Sequence, residues 1–313
     1  MKKLLLTATL LSCAFGFAQH GLDKDVANIE DKVIEWRRDF HQNPELSNRE
    51  FKTAEKIAAH LKSLGMEVQT GIAHTGVVGI LKGKKPGKVL ALRADIDGLP
   101  VPERADLPFK STAKGEFNGA EVPVMHACGH DTHIAILMGV AEIMSKNTDK
   151  IKGTIKFIFQ PAEEGAPEGE EGGAKMMIKE GVLKNPDVDA IFGLHIGSGQ
   201  PVNTIAYKSG GIMAAAQRFE INVKGKQTHG STPWTGIDPI MASVKIIDGL
   251  QTLISRESAL TNEAVVISVG KITSGVRNNI IPETAQIVGT IRTLDYDMQK
   301  HINDRMKEMV PAI

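Results

Sequence analysis

The stretch GTIKFIFQPAEEG at residues 153–165 decides the fold. Its first part, Gly153–Phe159, is a short apolar run that predicts a buried strand. Two adjacent carboxylates, Glu163 and Glu164, follow this strand, although each would be costly to desolvate without a partner. Taken alone, such a pair is readily explained as a solvated loop. At the carboxyl end of a buried strand in an α/β sheet, where ligand sites gather, a functional site explains the pair equally well. Because successive side chains point in opposite directions, one carboxylate could bind a metal ion while its neighbour addresses a metal-bound water.

Helical and strand patterns alternate on both sides of this stretch. Helical periodicity covers Val26–Leu64, and a Lys- and Gly-rich turn at Gly83–Gly87 joins two short apolar strands. The remaining predicted elements are a strand at Val77–Leu81, a strand at Val89–Leu92, an apolar helix at His133–Ser145, a helix at Ala174–Glu180 and a strand at Ala190–Leu194. This alternation predicts an α/β domain built on a mostly parallel sheet.

The pattern changes near Ile205, where a second domain is predicted. Its elements follow the order β-α-β-β-α, which resembles a ferredoxin-like α+β unit without its last strand. We therefore expect a catalytic domain at residues 19–205 and a second domain at 206–313. Because the sequence stops at Ile313 with no strand to complete the unit, both domains are expected to be incomplete.

The first residues predict export from the cytoplasm. Residues 1–18 combine a basic start, a short apolar stretch and small residues near the end, which is typical of a secretory signal. We expect a secreted or periplasmic protein that no longer contacts a membrane after cleavage; lipid attachment at Cys13 is the weaker alternative. The chain has 37 basic and 37 acidic residues, and this balance argues against a nucleic-acid partner.

Cleavage would leave Cys128 as the only cysteine, since the sequence contains two. Without a disulfide partner it is a buried apolar residue, a free thiol or a metal ligand. It stands in the cluster MHACGHDTH at residues 125–133. In an extended segment, Cys128 and His130 would project to the same side and reach one ion. The alternative is a pair of core histidines beside a buried thiol.

Two further predicted strands also end in residues that bind metals. His195 follows the strand at Ala190–Leu194, and Asp95 and Asp97 follow the strand at Val89–Leu92. A thiol hydrolase with Cys128 as nucleophile and His130 or His133 as base is conceivable. However, a nucleophile and its base must face each other, whereas the side chains of Cys-x-His on one strand face both point toward a third group. This arrangement suits two ligands of one metal ion better than a nucleophile and its base.

Several long motifs in order resemble the metal-dependent aminoacylase/carboxypeptidase superfamily, in the branch of hippurate hydrolases and indole-acetyl-amino-acid hydrolases. The motifs are Arg37–Leu46, Leu92–Pro100, Met125–His133, Gln160–Gly165, His229–Ile240, Asn279–Pro282 and Gly289–Arg292. The resemblance covers most of the chain after residue 18. It implies a di-metal hydrolase domain of α/β class with an inserted lid and dimerisation domain.

The resemblance also implies roles for individual residues. Cys128, His130, Glu164 and His195 match ligands of a centre of two divalent metal ions, Zn by preference, with Mn, Co or Ni also compatible. Glu163 matches the general base that activates water at this centre and then protonates the leaving amine. Asp95 and Asp97 match acidic residues that orient ligands.

In the second domain, the resemblance assigns three substrate-facing residues and a homodimer formed through the lid. His229 would polarise the scissile carbonyl and Arg292 would pair with a substrate carboxylate, while Asn279 also faces the substrate. Two alternatives remain: His229 caps a turn, and Arg292 forms a surface ion pair. Trp234, which follows Pro233, stands where many members of this superfamily carry a histidine. The relatives' last metal-binding histidine would lie after Ile313.

The expected function is therefore hydrolysis of the amide bond of N-acyl amino acids or small peptide-like substrates by a metal-activated water. One alternative is a truncated, non-catalytic metal-binding or dimerisation module, because the last ligand is absent from the sequence. The other is the thiol-dependent hydrolase built on Cys128.

Overall fold

The apolar strand predicted at Gly153–Phe159 is the central strand of a five-stranded sheet. The computed structural model describes residues 21–313, so the predicted signal peptide and Cys13 lie outside the described residues. The described chain divides into one compact unit that ends at Gly199 and a second at Gln200–Ile313. Among residues 21–313, no helix has both the length and the apolar character needed to cross a membrane.

The first unit carries five helices and seven strands among the residues described. Its helices are α1 (Asp23–Ala27), α2 (Glu30–Gln42), α3 (Phe51–Ser63), α4 (His130–Ser145) and α5 (Gly173–Lys179). Its strands are β1 (Glu67–Ile72), β2 (Gly76–Lys82), β3 (Lys85–Asp95), β4 (Lys114–Phe117), β5 (Ala120–Pro123), β6 (Lys152–Gln160) and β7 (Ala190–Gly193). Strands β1, β4 and β5 were not predicted from the sequence.

The central sheet is mixed, and the prediction of a mostly parallel sheet is wrong in this respect. The strand order is β1-β2-β6-β3-β7, and β3 runs parallel to both β6 and β7. Strand β2 is antiparallel to both β1 and β6. The short turn at residues 73–75 joins β1 to β2, and only an antiparallel pair permits so short a connection. Strands β2 and β3 are consecutive in the chain, but β6 lies between them in the sheet.

Side chains of β6 alternate between two apolar layers, one on each face of the sheet. Phe157 and Phe159 pack with apolar residues of α2, α3 and α4. Ile158 points to the other face and packs with Met177 of α5 and Val182. Burial on both faces explains why Phe157, Ile158 and Phe159 are all apolar instead of alternating with polar residues.

The parallel part of the sheet determines where the site forms. Strands β6, β3 and β7 end at Gln160, Asp95 and Gly193. The carboxyl ends of parallel neighbours meet at one edge of a sheet, so the segments that follow these strands begin side by side. Helix α4 begins at His130, beside the same residues.

The second unit is a three-stranded antiparallel sheet with two helices. Its elements are β8 (Ala215–Lys224), β9 (Thr228–His229), a 3₁₀ turn (Pro233–Thr235), α6 (Pro239–Thr252), a π-helical turn (Leu253–Glu257), β10 (Val265–Ser274), β11 (Ile280–Ile281), β12 (Thr284–Thr293) and α7 (Tyr296–Ala312). The sheet order is β10-β12-β8. Asp238 and Asp295 cap the first turns of α6 and α7 by accepting backbone N–H bonds. Ile246, Ile287 and Ile302 lie in a separate apolar core.

We predict that Phe157→Ala destabilises the first unit by about 3–5 kcal/mol, because Phe157 is 0% exposed and its removal leaves a cavity. The same change at Phe51, which is 61% exposed, should alter stability by no more than about 0.5 kcal/mol. Urea unfolding followed by the fluorescence of Trp36, in a Trp234→Phe background, measures the first unit because the chain has two tryptophans. Equal losses in the two variants would contradict the assigned core.

Candidate metal centre

His130 is shared by all three groups of residues that could hold a metal ion among those described. The groups are Cys128–His130–His195, Asp95–His130–His133 and His130–Glu163–Glu164, and in each the ligand atoms lie within 4.8 Å of one another. The structure therefore brings the predicted residues Cys128, His130, Glu163, Glu164 and His195 to one place. It also places Asp95, which the resemblance implies as a residue that orients ligands, close to His130 together with His133.

The hydrogen bonds of His130 leave one ring nitrogen available for a ligand. Its Nδ1 is 2.9 Å from the backbone oxygen of Asp97, and since a carbonyl oxygen can only accept, Nδ1 donates. The Asp97 carboxylate lies 3.2 Å from the same nitrogen. In the neutral ring, Nε2 then carries a lone pair. That Nε2 is buried and has no hydrogen-bond partner among the described residues.

Three carboxylates surround this unpartnered nitrogen. His130 Nε2 lies 3.7 Å from Asp95, 3.8 Å from Glu163 and 3.9 Å from Glu164. Burial alone would lower the pKa of His130, but the hydrogen bond to Asp97 and the negative charges of Asp95, Asp97 and Glu163 outweigh it, and the pKa is raised. The centre therefore favours a positive charge at this point.

Cys128 and His195 form the other side of the centre. Cys128 Sγ is 3.5 Å from His195 Nε2, and His195 Nδ1 donates to the backbone oxygen of Ile196 at 2.6 Å. His195 therefore also directs a lone pair inward when neutral. Burial, followed by hydrogen bonding to Glu164 and the charges of Glu164 and Glu163, raises the pKa of the Cys128 thiol to about 12. Without a cation, the thiolate would be a small minority.

The path of the chain between Cys128 and His130 differs from the prediction. We expected an extended segment, but Gly129 adopts a left-handed conformation with φ +98° and caps helix α4, whose first residue is His130. A Cβ at Gly129 would lie 2.3 Å from Ile196 Cγ2, so the turn requires glycine here. The two side chains converge because of this turn and not because of strand geometry.

Glu163 and Glu164 also differ from the expectation of opposite directions. Strand β6 ends at Gln160, so the alternation of a strand no longer applies at the two glutamates, and both carboxylates approach His130. Glu163 is 36% exposed, and its carboxylate accepts no hydrogen bond from the residues described. Burial, followed by the charge of Asp95, raises the pKa of Glu163.

His133 is already occupied by two hydrogen bonds. Its Nε2 accepts from the backbone N–H of Ile196 at 2.9 Å, so its Nδ1 donates to Asp95 at 2.6 Å. Burial disfavours the charge of Asp95, but the hydrogen bond from His133 and the charges of His130 and Arg93 outweigh it, and the pKa falls to about 2. His133 is thus unsuited to serve as the base of a thiol hydrolase. The raised pKa of Cys128 argues in the same direction.

The donor set fits a divalent transition-metal ion. It combines a thiol sulfur, two imidazole nitrogens with available lone pairs and two carboxylates, which suits Zn and its neighbours better than Mg or Ca. The buried, unpartnered Nε2 of His130 is the observation that favours a bound ion, because such an atom is otherwise costly. Asp97 bonds the second nitrogen of His130 in the manner of residues that orient metal ligands.

A buried ion network behind the centre was not predicted. The carboxylate of Asp131 forms an ion pair with Arg37, whose Nε is 2.8 Å away, and accepts from His41 Nδ1 at 2.9 Å. His41 Nε2 is 2.8 Å from Glu103. The network fastens the first turn of α4, which carries His130, to helix α2. Arg37 and His41 belong to the motif at Arg37–Leu46, but their partners are too distant in the sequence for residue spacing to predict these contacts.

The second unit holds the remaining three predicted residues. His229 lies in β9, and its Nδ1 accepts from both the backbone N–H and the hydroxyl of Ser231. Asn279 precedes β11, and its backbone oxygen accepts from Gly230. Arg292 lies in β12 with an exposed side chain. It forms no ion pair with any residue in the range 21–313, so the surface ion-pair alternative finds no support there.

Comparison with known proteins identifies the family. Residues 91–300 match the model of the peptidase family M20/M25/M40. The chain is 46% identical to thermostable carboxypeptidase 2 of Saccharolobus solfataricus over 293 residues, which cover 93% of this chain and 71% of that protein. It is 40% identical to the N-acetylcysteine deacetylase of Bacillus subtilis over 283 residues, which cover 90% of this chain and 70% of that protein.

A solved structure agrees with these relatives. The Bacillus subtilis YXEP protein, a dinuclear metal-binding peptidase of the M20 family, superimposes with a TM-score of 0.73 at 37% identity, covering 91% of this chain and 70% of that one. The fold and the site define a metal-dependent amide hydrolase, and the predicted class of enzyme is confirmed. The chain belongs to the peptidase family M20/M25/M40, which confirms the predicted aminoacylase/carboxypeptidase relationship.

The network around His41 makes stability depend on pH. Hydrogen bonding to Asp131 raises the pKa of His41 above its usual 6.5, against the effect of burial. The protonated ring of His41 therefore stabilises the folded state, and this stabilisation is fully present below pH 6.5 and is lost as the pH rises through the raised pKa. The structural reason is that a neutral ring can donate to only one of the two carboxylates. We predict that the stability advantage of the wild type over His41→Gln shrinks as the pH rises above 6.5, measured by urea unfolding.

The matched control is His60→Gln. Burial lowers the pKa of His60, so its neutral form is favoured and its contribution is lost only as the pH falls below 6.5. The difference between wild type and His60→Gln should therefore be constant at alkaline pH. If the His41 variant shows the same constant difference, the assignment of a charged His41 is wrong.

Proposed function

We propose that the protein hydrolyses the amide bond of N-acyl amino acids or small peptide-like substrates at a centre of two divalent metal ions. Cys128, His130, Glu164 and His195 would hold the ions, Zn by preference, with Mn, Co or Ni compatible with the same donors. The convergence of these side chains on the free Nε2 of His130 is the observation that carries the proposal. The activities of the deacetylase and carboxypeptidase relatives support the substrate class.

The metal ions would polarise the scissile carbonyl and make water a stronger acid when bound. Glu163 is placed to act as the general base. Its side chain is partly exposed, its pKa is raised, and no hydrogen bond from a described residue competes for its oxygens. It would take a proton from the attacking water and later transfer it to the leaving amine.

The second unit would act as a lid that binds the substrate. A backbone N–H can only donate, so the contact from Ser231 makes Nδ1 of His229 the acceptor and leaves the proton on Nε2. His229 is therefore prepared to donate to a carbonyl oxygen and to stabilise the negative charge that develops there. Arg292, exposed and unpaired within residues 21–313, suits a substrate carboxylate, and Asn279 completes the proposed contacts.

Glu163→Ala should lower kcat for hippurate by about 10²- to 10⁴-fold, because the attacking water loses the base that accepts its proton. Metal content, measured by atomic emission after gel filtration, should stay at the wild-type level, since the four proposed ligands remain. Glu168→Ala is the matched control: Glu168 is an exposed glutamate of the same loop and should retain wild-type turnover. Near-normal rates in Glu163→Ala would refute the assignment.

The same assay separates the proposal from its two alternatives. Removal of divalent ions with a chelator should abolish hydrolysis, and adding Zn or Mn should restore it. A thiol hydrolase built on Cys128 would retain its activity in the chelator. A metal-binding or dimerisation module would bind ions but release no product from hippurate.

We also propose that the lid forms the homodimer. Ile240, Met241 and Val244 share one face of α6 and are exposed, although the opposite face of this helix is buried. Ile237, two residues before the helix, is exposed as well. An exposed apolar stripe of this kind is suited to a second copy of the same chain. The proposal that the protein acts outside the cytoplasm rests only on the sequence of residues 1–18.

Val244→Glu should convert the dimer to a monomer, because a two-fold interface would bury two unpaired carboxylates. Analytical ultracentrifugation measures the mass. Lys245→Glu, which reverses an exposed charge at the border of the stripe and adds no carboxylate to its apolar centre, should remain a dimer. A Val244→Glu protein with the mass of the wild-type dimer would exclude this face as the interface.

A further inference from the structure

One further buried carboxylate, that of Glu50, contacts the backbone next to the glutamate pair and has no role in the function proposed above. Glu50, the residue before helix α3, is 0% exposed. Its Oε1 accepts from the backbone N–H of Ala162 at 2.9 Å, and its Oε2 accepts from the hydroxyl of Thr75 at 2.5 Å. Ala162 directly precedes Glu163, so Glu50 contacts the backbone that carries the proposed base and the neighbouring metal ligand.

We propose that Glu50 is the positioning residue of this centre: it fixes the turn at Ala162 so that Glu163 and Glu164 both face His130. The proposal rests on the function proposed above and identifies a further residue on which that function depends. Glu50 touches neither the substrate nor the proposed ligands. It would act through the Ala162 peptide group alone.

The conformation of Ala162 explains why the turn needs such a partner. Ala162 has a φ of +47°, in the left-handed region that residues other than glycine rarely adopt. Such a residue persists only where its surroundings hold it. The turn is also buried, so its N–H needs a hydrogen-bond acceptor from the protein, and Glu50 supplies that acceptor.

Two glycines close the other side of the turn. A Cβ at Gly173 would lie 2.7 Å from the backbone oxygen of Ala162, and a Cβ at Gly172 would lie 3.2 Å from Ala162 Cβ. Glu50 and the glycine pair therefore enclose Ala162. A side chain at either glycine would crowd Ala162, so glycine at both positions lets this segment pack against the turn.

A matching contact holds the backbone on the far side of Glu163. The N–H of Glu164 donates to Asp97 Oδ2 at 3.0 Å, and Ser47 donates to the same oxygen at 2.8 Å. The amides on either side of Glu163 thus each bond to a buried carboxylate. Ser47 and Glu50 both belong to the connection between α2 and α3, so one short segment supports the turn at two points.

The chemistry of Glu50 predicts which substitution should be tolerated. Burial raises the pKa of Glu50 to about 7, so both protonation states are populated near neutral pH. In either state Oε1 can accept from Ala162, because the Thr75 hydroxyl can rotate to donate or to accept. A glutamine at this position would keep the acceptor toward Ala162 and place a donor toward Thr75.

The test compares Glu50→Gln and Glu50→Leu with the wild type in amide hydrogen exchange, in metal affinity and in kcat and KM for hippurate. Amide hydrogen exchange at Ala162 and Glu164 reports the turn directly, and metal affinity is measured by competition with a chromogenic chelator. Glu50→Leu should accelerate exchange at both amides and lower metal affinity or kcat by about 10- to 100-fold, with KM little changed. Glu50→Gln should resemble the wild type in each respect.

Glu142→Leu is the control for general destabilisation. Glu142 is another largely buried glutamate of the first unit, but its carboxylate pairs with Lys32 and Lys146 near the end of α4 opposite to His130. The Glu142→Leu substitution should lower the melting temperature and leave amide hydrogen exchange at Ala162 unchanged. If Glu50→Leu behaves like Glu142→Leu, or if Glu50→Gln is impaired while exchange stays at the wild-type rate, the positioning role is refuted.

The exchange measurement also separates this proposal from the function on which it rests. If hippurate is not hydrolysed by any variant but Glu50→Leu still loosens the turn and weakens metal binding, the positioning role holds and the proposed substrate is wrong. If Glu163→Ala abolishes turnover while Glu50→Leu changes neither exchange nor metal affinity, the function holds and Glu50 has no positioning role.

Discussion

The concentration of negative charge at one edge of the sheet is the constraint on which the rest of the structure depends. Asp95, Asp97, Glu163 and Glu164 all approach a single buried imidazole, His130. Carboxylates removed from water are costly unless cations or hydrogen-bond donors compensate them. Arg93 and His133 compensate Asp95, while Ser47 and the Glu164 amide compensate Asp97. The remaining charge is what a divalent ion would neutralise.

The fold meets this constraint by bringing together segments distant in sequence. Parallel strands β3, β6 and β7 deliver the acidic pair, the glutamates and His195 to one edge, and the first residue of α4 supplies His130. Around them, residues that bind no ion hold the ligands in place: Asp97 bonds His130, and Asp131 ties α4 to Arg37 and His41. Such support preserves the geometry of a metal site when no ion contributes to it.

Much of this could be predicted from the sequence because the decisive signals are local. An apolar run followed at once by ligand-type side chains identifies β6 with Glu163 and β7 with His195. Local reasoning failed where the backbone departs from a regular period. Cys128 and His130 converge through a left-handed glycine, and Glu163 and Glu164 share one side because β6 has already ended. The mixed sheet was missed because β1 lacks a clear apolar pattern and β6 inserts between β2 and β3. Glu50 gave no signal, since Ala162 lies 112 residues away.

Four histidines show how the backbone assigns different chemistry to the same side chain. His130 and His195 each place one ring nitrogen against a carbonyl oxygen, which draws the proton outward and leaves a lone pair facing the centre. His133 and His229 each place one ring nitrogen against an amide N–H, which moves the proton to the opposite nitrogen. Two of these rings are thereby Lewis bases and two are hydrogen-bond donors. In each case a backbone peptide group determines which ring nitrogen carries the proton. Because substitution of a side chain leaves that peptide group in place, the surrounding side chains could change in evolution while each histidine kept its role as Lewis base or donor.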